Sequence, residues 1–461
     1  MDAVASLRAE NEDLRQQVAA LRERLKQREA QPTVPETVGW SCGHCLNPQQ
    51  VQRYSRHLIL PNIGVQGQSR LCEASVLVVG AGGLGSSAAL YLACAGVGRL
   101  GIVDKDVVQL DNLHRQIIHR ESTVGIHKAV SAAMACRERN SSIQVDVHTE
   151  GLTPATALPL VQNYDVVVDA SDNVPTRYLV SDACVITKTP LVSGAAIGTE
   201  GQLTVYAYGM DGPCYRCLFP KAPAPGHCTR CSDNGVLGPV PGVIGVLEAM
   251  ETVKIIAQVG DVLSRRLLIM DFLCARFHTV KLRAKVPTCE ACGDSPSVTL
   301  STLERYDYSA FTGQTFDDSP IVCSTSLPAS ARLPPVEVNE VINRSREEGQ
   351  ELLLVDVRPQ GEFDIGHLNG ALNFPYDQLD ADFPNLLSKC CTGVASLGTV
   401  DGGAIDASDR QSDGGGVVVV CRRGNDSQLV VQKLRSAGIS ARDMVGGLAG
   451  WAEVDPTFPQ Y

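Results

Sequence analysis

An apolar strand that runs straight into spaced glycines constrains a chain more than composition does, because few folds need backbone without side chains at that point. In "SVLVVGAGGLGSSAALYLACAGVGRLGIVDKD" a buried-strand pattern meets Gly80, Gly82 and Gly85 in a G-x-G-x-x-G spacing, and a helix-forming stretch follows. Glycines there let the main chain approach a phosphate, whose charge then rests on the helix N-terminus. The next apolar run ends on Asp104, where a ribose-binding carboxylate belongs. Glycines serving a tight turn alone would leave that acid a coincidence.

From about Val51 to Leu282, strand-like runs alternate with helical stretches; the clearest are "SVLVVG", "RLGIVD", "YDVVVDAS", "PLVSGAA" and "GQLTVYAY". This alternation predicts an α/β domain with a mostly parallel sheet covered on both faces. Ligands of such sheets gather at the carboxyl ends of the strands. There the sequence places "DNLHRQ" with Asn112 and Arg115, then Lys128, then "DASDN" with Asp172 and Asn173. Cations for phosphates and an acid for Mg²⁺ suit transfer at the triphosphate of ATP better than hydride transfer. Two other classes stay open on these residues: an NAD-dependent oxidoreductase with an accessory module, and a non-catalytic scaffold.

The chain holds 17 cysteines. Its start, "MDAVASLRAENEDLRQQ", lacks the apolar core of a secretory signal and carries acids unusual in a mitochondrial presequence. No apolar run approaches the roughly 20 residues that span a bilayer. The expectation is a soluble protein of the cytosol, where thiols serve metals and catalysis before disulfides. Cys214 and Cys217 in "CYRC", with Cys289 and Cys292 in "CEAC", make two knuckles of one closed, structural Cys₄ zinc site. The Pro- and Gly-rich stretch between them carries Cys228 and Cys231, and "SCGHC" near the amino end carries Cys42 and Cys45 as a further unpaired CxxC. The formal net charge of −11, without a long Lys/Arg run, argues against direct nucleic-acid binding.

Outside this domain the chain divides further. Within residues 1–30, Val4, Leu7, Leu14, Val18, Leu21 and Leu25 recur in steps of three and four around Asn11, a short coiled-coil seam or an amphipathic helix docked on its own chain. Residues 31–50 and 296–335 read as linkers on either side of a nucleotide-binding domain at 51–295. A second α/β unit occupies 336–461, with strands "ELLLVDV" and "GVVVVC", and 391–416 is a low-complexity insertion predicted to be disordered. In "VVVVCRRGNDS", Cys421 ends a strand and is followed by Arg422, Arg423 and Gly424. Strand-end packing would explain the cysteine alone. Two cations and a turn against its sulfur favour a thiolate instead.

The run "RYSRHLILPNIG", "GAGGLG", "DNLHRQ", "ASDN", "PCYRC" and "CEAC" resembles the MoeB/ThiF-like branch of the ubiquitin-activating superfamily, over roughly residues 50–295. "LLLVDVRPQGEFDIGHLNGALNFP" and the Cys421–Asp426 turn resemble a rhodanese domain. Together they resemble the two-domain adenylyltransferase–sulfurtransferases of molybdenum cofactor synthesis. The resemblance implies a Rossmann-like adenylation domain in which Gly83 and Asp104 hold ATP. Asp111, Asn112, Leu113, His114 and Arg115 would surround ribose and phosphates, Lys128 would contact phosphates, and Asp172 with Asn173 would serve Mg²⁺ and adenine. Arg56 would reach into the partner's site of a homodimer. Cys421 would carry a persulfide received from a cysteine desulfurase, and Cys231, with Cys228 as a near substitute, would be the crossover-loop cysteine. The implied substrates are ubiquitin-like sulfur carriers ending in Gly-Gly: the small subunit of molybdopterin synthase and the modifier used in tRNA wobble-uridine thiolation. A cysteine that related linkers can carry is replaced by Thr312, which leaves Cys323 without that partner.

Overall fold

The computed structural model describes residues 43–222, 235–316, 327–349, 352–395 and 416–459, with residues 12, 15–20 and 22–23 of the amino-terminal segment. Of the coiled-coil positions only Val18 is described; it is helical and exposed. The coiled coil itself, the loop with Cys228 and Cys231, Cys42, Cys323 and most of the 391–416 insertion lie outside the described residues.

The first sheet has eight strands: β1 (Ser75–Val79), β2 (Arg99–Val103), β3 (Gln144–His148), β4 (Val166–Asp169), β5 (Leu191–Ile197), β6 (Glu200–Tyr206), β7 (Arg266–Asp271) and β8 (Arg276–Lys281). Their order is 3-2-1-4-5-6-7-8, parallel through β5 and antiparallel beyond it. The chain winds outward from β1 through β2 to β3, then returns to place β4 on the other side of β1. That reversal opens a crevice at the carboxyl ends of β1 and β4. Helices α1 (Gly83–Ala95), α2 (Lys128–Arg139), α3 (Val174–Thr187) and α4 (Pro239–Ala257) cover the faces. Val76, Val78, Leu92, Leu100, Ile102 and Ile244 fill one side, and Leu77, Val167, Tyr178, Leu179 and Leu191 the other. A strand buried on both faces needs a continuous apolar run, and Val76–Val79 and Val166–Val168 supply it.

The stretch expected to be linker from 296 onward behaves differently. Val298, Leu303 and Tyr308 join the second of these apolar clusters, so the chain stays on the first domain as far as Phe316. Its Ser/Thr content concealed aromatic anchors whose partners lie far away in sequence.

The second sheet is parallel, in the order β11 (Leu372–Asn373), β10 (Leu353–Asp356), β12 (Val417–Val420), β13 (Ala441–Met444), β9 (Arg332–Leu333). Because β9 precedes residue 336, this unit begins a few residues earlier than its sequence pattern suggested. Helix α5 (Asp426–Ser436) follows β12 after the cysteine turn.

The glycines of the first turn have separable jobs. Gly80 holds φ +98°, and a Cβ on Gly85 would lie 1.9 Å from the Gly80 carbonyl oxygen. A Cβ on Gly82 would meet nothing closer than 3.9 Å. We expect Gly85→Ala to destabilise the fold by at least about 1–3 kcal/mol through overpacking. Gly82→Ala should melt near wild type and lose nucleotide affinity, as thermal denaturation with and without ATP would show.

Candidate active sites

The glycine turn meets its partners at the β1–β4 crevice. Asp104, just past β2, accepts the Ala81 N–H at 2.8 Å and the Asp106 N–H at 2.9 Å, so it braces the turn from below. Burial raises its pKa, while Lys128 and the Ala81 bond oppose the rise. Lys128 opens α2 almost fully buried, and its Nζ pairs with Asp106 at 2.8 Å. Burial works against its charge, but Asp104, Asp106 and Asp172 outweigh that and raise its pKa. Lys128 is therefore a fixed cation in the crevice, with Asp172 within electrostatic reach.

Asp172 is exposed at the end of β4, and Asn173 caps α3 by accepting the Thr176 N–H at 2.9 Å. The 111–116 segment packs on the glycine turn from the other side. Asn112 is buried and binds Asp111, Arg115 Nη1 donates to the Asp111 carbonyl at 2.8 Å, and the His114 ring touches the same guanidinium. Leu113 closes this short helical turn. Gly83 lies where a Cβ would strike Pro241 of α4 at 2.9 Å, so its absence of a side chain serves helix packing. The structure brings Gly83, Asp104, Asp111, Asn112, Leu113, His114, Arg115, Lys128, Asp172 and Asn173 to one edge of one sheet.

Arg56 is not at this edge. It is exposed on a short helix two residues after Tyr54, and Tyr54 packs on Gly96 and Asn140 at the far ends of α1 and α2. A helix as long as α1 separates the two edges by roughly 20 Å.

A cavity of about 340 Å³ continues from Asp172 along β5 and β6, lined by Leu84, Arg177, Ala196, Gly201 and Gln314 among others. Sequence reasoning missed Arg177, which donates to the Ser171 and Gly194 carbonyls at 2.9 Å, and Gln314. It also missed His119, a lone histidine that no motif flagged.

Cys214, Cys217, Cys289 and Cys292 are all buried, with every Sγ within 4.8 Å of the others. Sulfur–sulfur separations of 3.3, 3.5 and 3.8 Å are close to the edge of about 3.8 Å expected for a tetrahedron with metal–sulfur bonds of about 2.3 Å. The Val286 N–H points at the Cys217 sulfur from 3.4 Å, which suits a thiolate ligand. Four sulfurs close the coordination sphere, so a metal held there is structural.

In the second domain Cys421 is buried at the end of β12. Its Sγ receives the Gly424 N–H at 3.1 Å and lies 3.4 Å from the Ser427 hydroxyl. Gly424 adopts φ +79°, and its own carbonyl accepts Gln428 Nε2 at 2.6 Å. A Cβ on Gly447 would come within 2.4 Å of the Cys421 carbonyl, so the loop and the short helix after β13 interlock. Arg422 and Arg423, next in the chain, stand half-buried. Asp426 begins α5; crowding around its carboxyl, and then the charge of Glu362, raise its pKa. Beneath the loop Arg358 forms a buried two-pronged pair with Asp356, at 3.0 and 2.6 Å. "DVR" is thus a brace for the turn.

These sites define a class: a nucleotide-binding α/β domain carrying a four-cysteine metal knuckle, joined to a cysteine-loop domain of the sulfurtransferase type. Residues 54–291 match the ThiF family and residues 337–454 the rhodanese-like domain. The chain is 48% identical to "Adenylyltransferase and sulfurtransferase MOCS3-1" of Zea mays, covering 90% of this chain and 84% of the maize protein. Identity to "Adenylyltransferase and sulfurtransferase MOCS3" is 48% for Arabidopsis thaliana, covering 91% of this chain and 87% of that one. For Sus scrofa it is 47%, covering 90% and 89%. The chain belongs to the ThiF family, in its branch of adenylyltransferase–sulfurtransferases with a rhodanese-like domain. Among the described residues no helix is long and apolar enough to cross a membrane.

His119 gives the crevice a measurable pH response. Its Nε2 donates to the Ala81 carbonyl at 3.0 Å and its Nδ1 meets Ser131 at 2.9 Å. Burial pushes the ring down to about 4; the Ala81 bond opposes this, and Lys128 adds to it. The unfolded ring, near 6.5, takes its proton first as pH falls, so stability present above about 6.5 is lost down to about 4. The loss is at most about 3 kcal/mol at 1.36 kcal/mol per unit. His119→Gln, which keeps a donor for Ala81, should flatten that part of the stability–pH curve; denaturant melts across the range would show an unchanged slope if the idea is wrong.

Proposed function

We propose that this enzyme activates the C-terminal glycine of a ubiquitin-like sulfur carrier with ATP and converts it to a thiocarboxylate. The observation that carries the reading is the pairing on one chain of a phosphate-ready crevice with a cysteine whose sulfur accepts a backbone amide. In the first stage the carrier's terminal carboxylate attacks the α-phosphorus of ATP. An acyl-adenylate forms and pyrophosphate leaves. The chain's task is alignment and charge neutralisation. The α1 N-terminus takes the phosphates, Lys128 and Arg115 supply cations, and Asp104, Asp111, Asn112, Leu113 and His114 frame the ribose side. Asp172 and Asn173 would hold Mg²⁺, which would offset charge on the leaving phosphates. The closed four-cysteine knuckle fits Zn²⁺ as its structural ion. Since Arg56 stands roughly a helix length from its own crevice, it serves the partner's site in a homodimer.

In the second stage a persulfide on Cys421, received from a cysteine desulfurase, attacks the acyl carbon. AMP leaves and an acyl disulfide joins carrier and enzyme. A thiol, assigned to Cys231, attacks the Cys421 sulfur, and the carrier departs as a thiocarboxylate. The resulting Cys231–Cys421 disulfide is reopened by a thiol reductant. The carriers are the small subunit of molybdopterin synthase and the ubiquitin-related modifier of tRNA wobble-uridine thiolation, and the setting is the cytosol. With a net charge of −11 the chain acts on tRNA only through the carrier.

The deciding experiment is mass spectrometry of each carrier after incubation with enzyme, ATP and a persulfide donor. We expect one oxygen replaced by sulfur with wild type and a carrier left unsulfurated with Cys421→Ala; full sulfuration by that variant would remove Cys421 from the mechanism. A second measurement concerns the donor. Acids at Asp426 and Glu362 disfavour a small dianion at the loop, so Asp426→Thr should raise thiosulfate turnover at least about tenfold, the equivalent of roughly 1.4 kcal/mol. Equal rates for the two proteins would mean that Asp426 does not select against the dianion.

A further inference from the structure

Gln314 is 4% exposed and lines the cavity beyond Asp172, yet its Nε2 has no hydrogen-bond partner among the described residues. A buried amide donor left unmade costs on the order of 1–3 kcal/mol unless something satisfies it. Its backbone, in contrast, is held on every side. The short helix Tyr308–Thr312 is capped by Asp307, the chain turns at Gly313 with φ +65°, and the Gln314 N–H reaches Thr312 Oγ1 at 3.3 Å. Two residues on, the Phe316 carbonyl accepts Lys105 Nζ at 2.8 Å, and Lys105 directly follows Asp104 of the nucleotide edge. Tyr306, Tyr308 and Phe311 pack around Arg216 and fix the other end. The segment is thus clamped beside the crevice, and Gln314, with its one unsatisfied donor, lines the cavity there.

The cavity's other walls describe its occupant. One end is Ser171 and Asp172, where the acyl-phosphate bond would form; the floor is the β5–β6 pair with Ala196 and Gly201. A cavity with small residues such as Ala196 and Gly201 on its floor admits extended main chain, whose carbonyls are its strongest acceptors. We infer that Gln314 is a positioning residue for the carrier's C-terminal tail, donating from Nε2 to a backbone carbonyl of the extended peptide. This rests on the adenylation reading and adds a wall of the tail channel supplied by the chain between the two domains. An amide that recognises main chain selects for a tail lying flat against it, because a tail held away leaves the donor unpaired.

The test is carrier-dependent ATP–pyrophosphate exchange by the full-length enzyme, with the molybdopterin synthase small subunit as carrier. Gln314→Met keeps the side chain's length and removes the donor. The expected result is a KM for carrier raised about three- to tenfold, what one neutral hydrogen bond is worth, with KM for ATP and melting temperature unchanged. Gln314→Ala provides a second reading should Met not be accommodated. An unchanged carrier KM, or carrier and ATP constants rising together with a lower melting temperature in both variants, would make Gln314 a packing residue and overturn the inference. No exchange by the wild type would instead overturn the adenylation reading on which it stands.

Discussion

The ion pair between Arg216 and Asp182 connects three parts of the first domain. Both side chains are at most 2% exposed, and the guanidinium meets the carboxylate at 2.9 and 2.8 Å. Tyr308 donates to the same carboxylate at 2.8 Å, and the rings of Phe311, Tyr306 and Tyr178 lie 4.6, 4.8 and 5.1 Å from the guanidinium. Burial raises the Asp182 pKa, and Arg216 and Tyr308 pull it back. A pair this deep adds little net stability over apolar packing, yet losing one member costs about 3–5 kcal/mol. Its effect is therefore to fix position. Arg216 sits between the two cysteines of the first knuckle, Asp182 lies in α3 behind Asp172 and Asn173, and Tyr308 begins the segment that ends in Gln314. Metal knuckle, catalytic edge and interdomain chain are registered through one guanidinium.

The features legible in the sequence were those whose chemistry is local. Gly80, Gly82 and Gly85 lie within six residues of one another and declare the turn without help from the fold. Each cysteine knuckle spans four residues, and the pairing of the two expected from the sequence is the one the structure shows. β3, β7 and β8 went unread for a different reason. β8, "RFHTVK", is exposed along its whole length, and a strand at a sheet edge carries no apolar alternation to detect. The role of residues 298–316 was hidden because their Ser/Thr composition reads as linker, while Tyr308 finds its partners at Asp182 and Arg216. His119 carried no motif; its meaning comes from touching the Ala81 carbonyl across 38 residues.

Both sites obey one rule of topology. In the first sheet the chain leaves β1 toward β2 and later returns beside it with β4. In the second it leaves β10 toward β11 and returns with β12 on the other side. Each reversal opens a crevice at the carboxyl ends of two parallel strands. In the first the crevice receives glycine amides and fixed charges, suited to phosphates. In the second it receives Cys421, whose sulfur accepts the Gly424 amide.

The second crevice also has its own buried Arg–Asp pair. Arg358 and Asp356 are at most 2% exposed, Asp356 pairs in register with Val420, and Arg358 Nη2 donates to the Gly366 carbonyl at 2.7 Å. Asn373 ties the carbonyls of Asp356 and Arg358 at 3.0 and 2.8 Å. One such pair would be a local accident. Two, each placed behind the carboxyl end of a central strand, point to a shared requirement, since both crevices present main-chain amides, which cannot adjust by rotating a side chain. An amide that drifts by half an ångström loses its anion, so the backbone carrying it must be held by groups costly to displace. A desolvated, hydrogen-bonded ion pair meets that need through directional contacts, which fix position where apolar packing is non-directional.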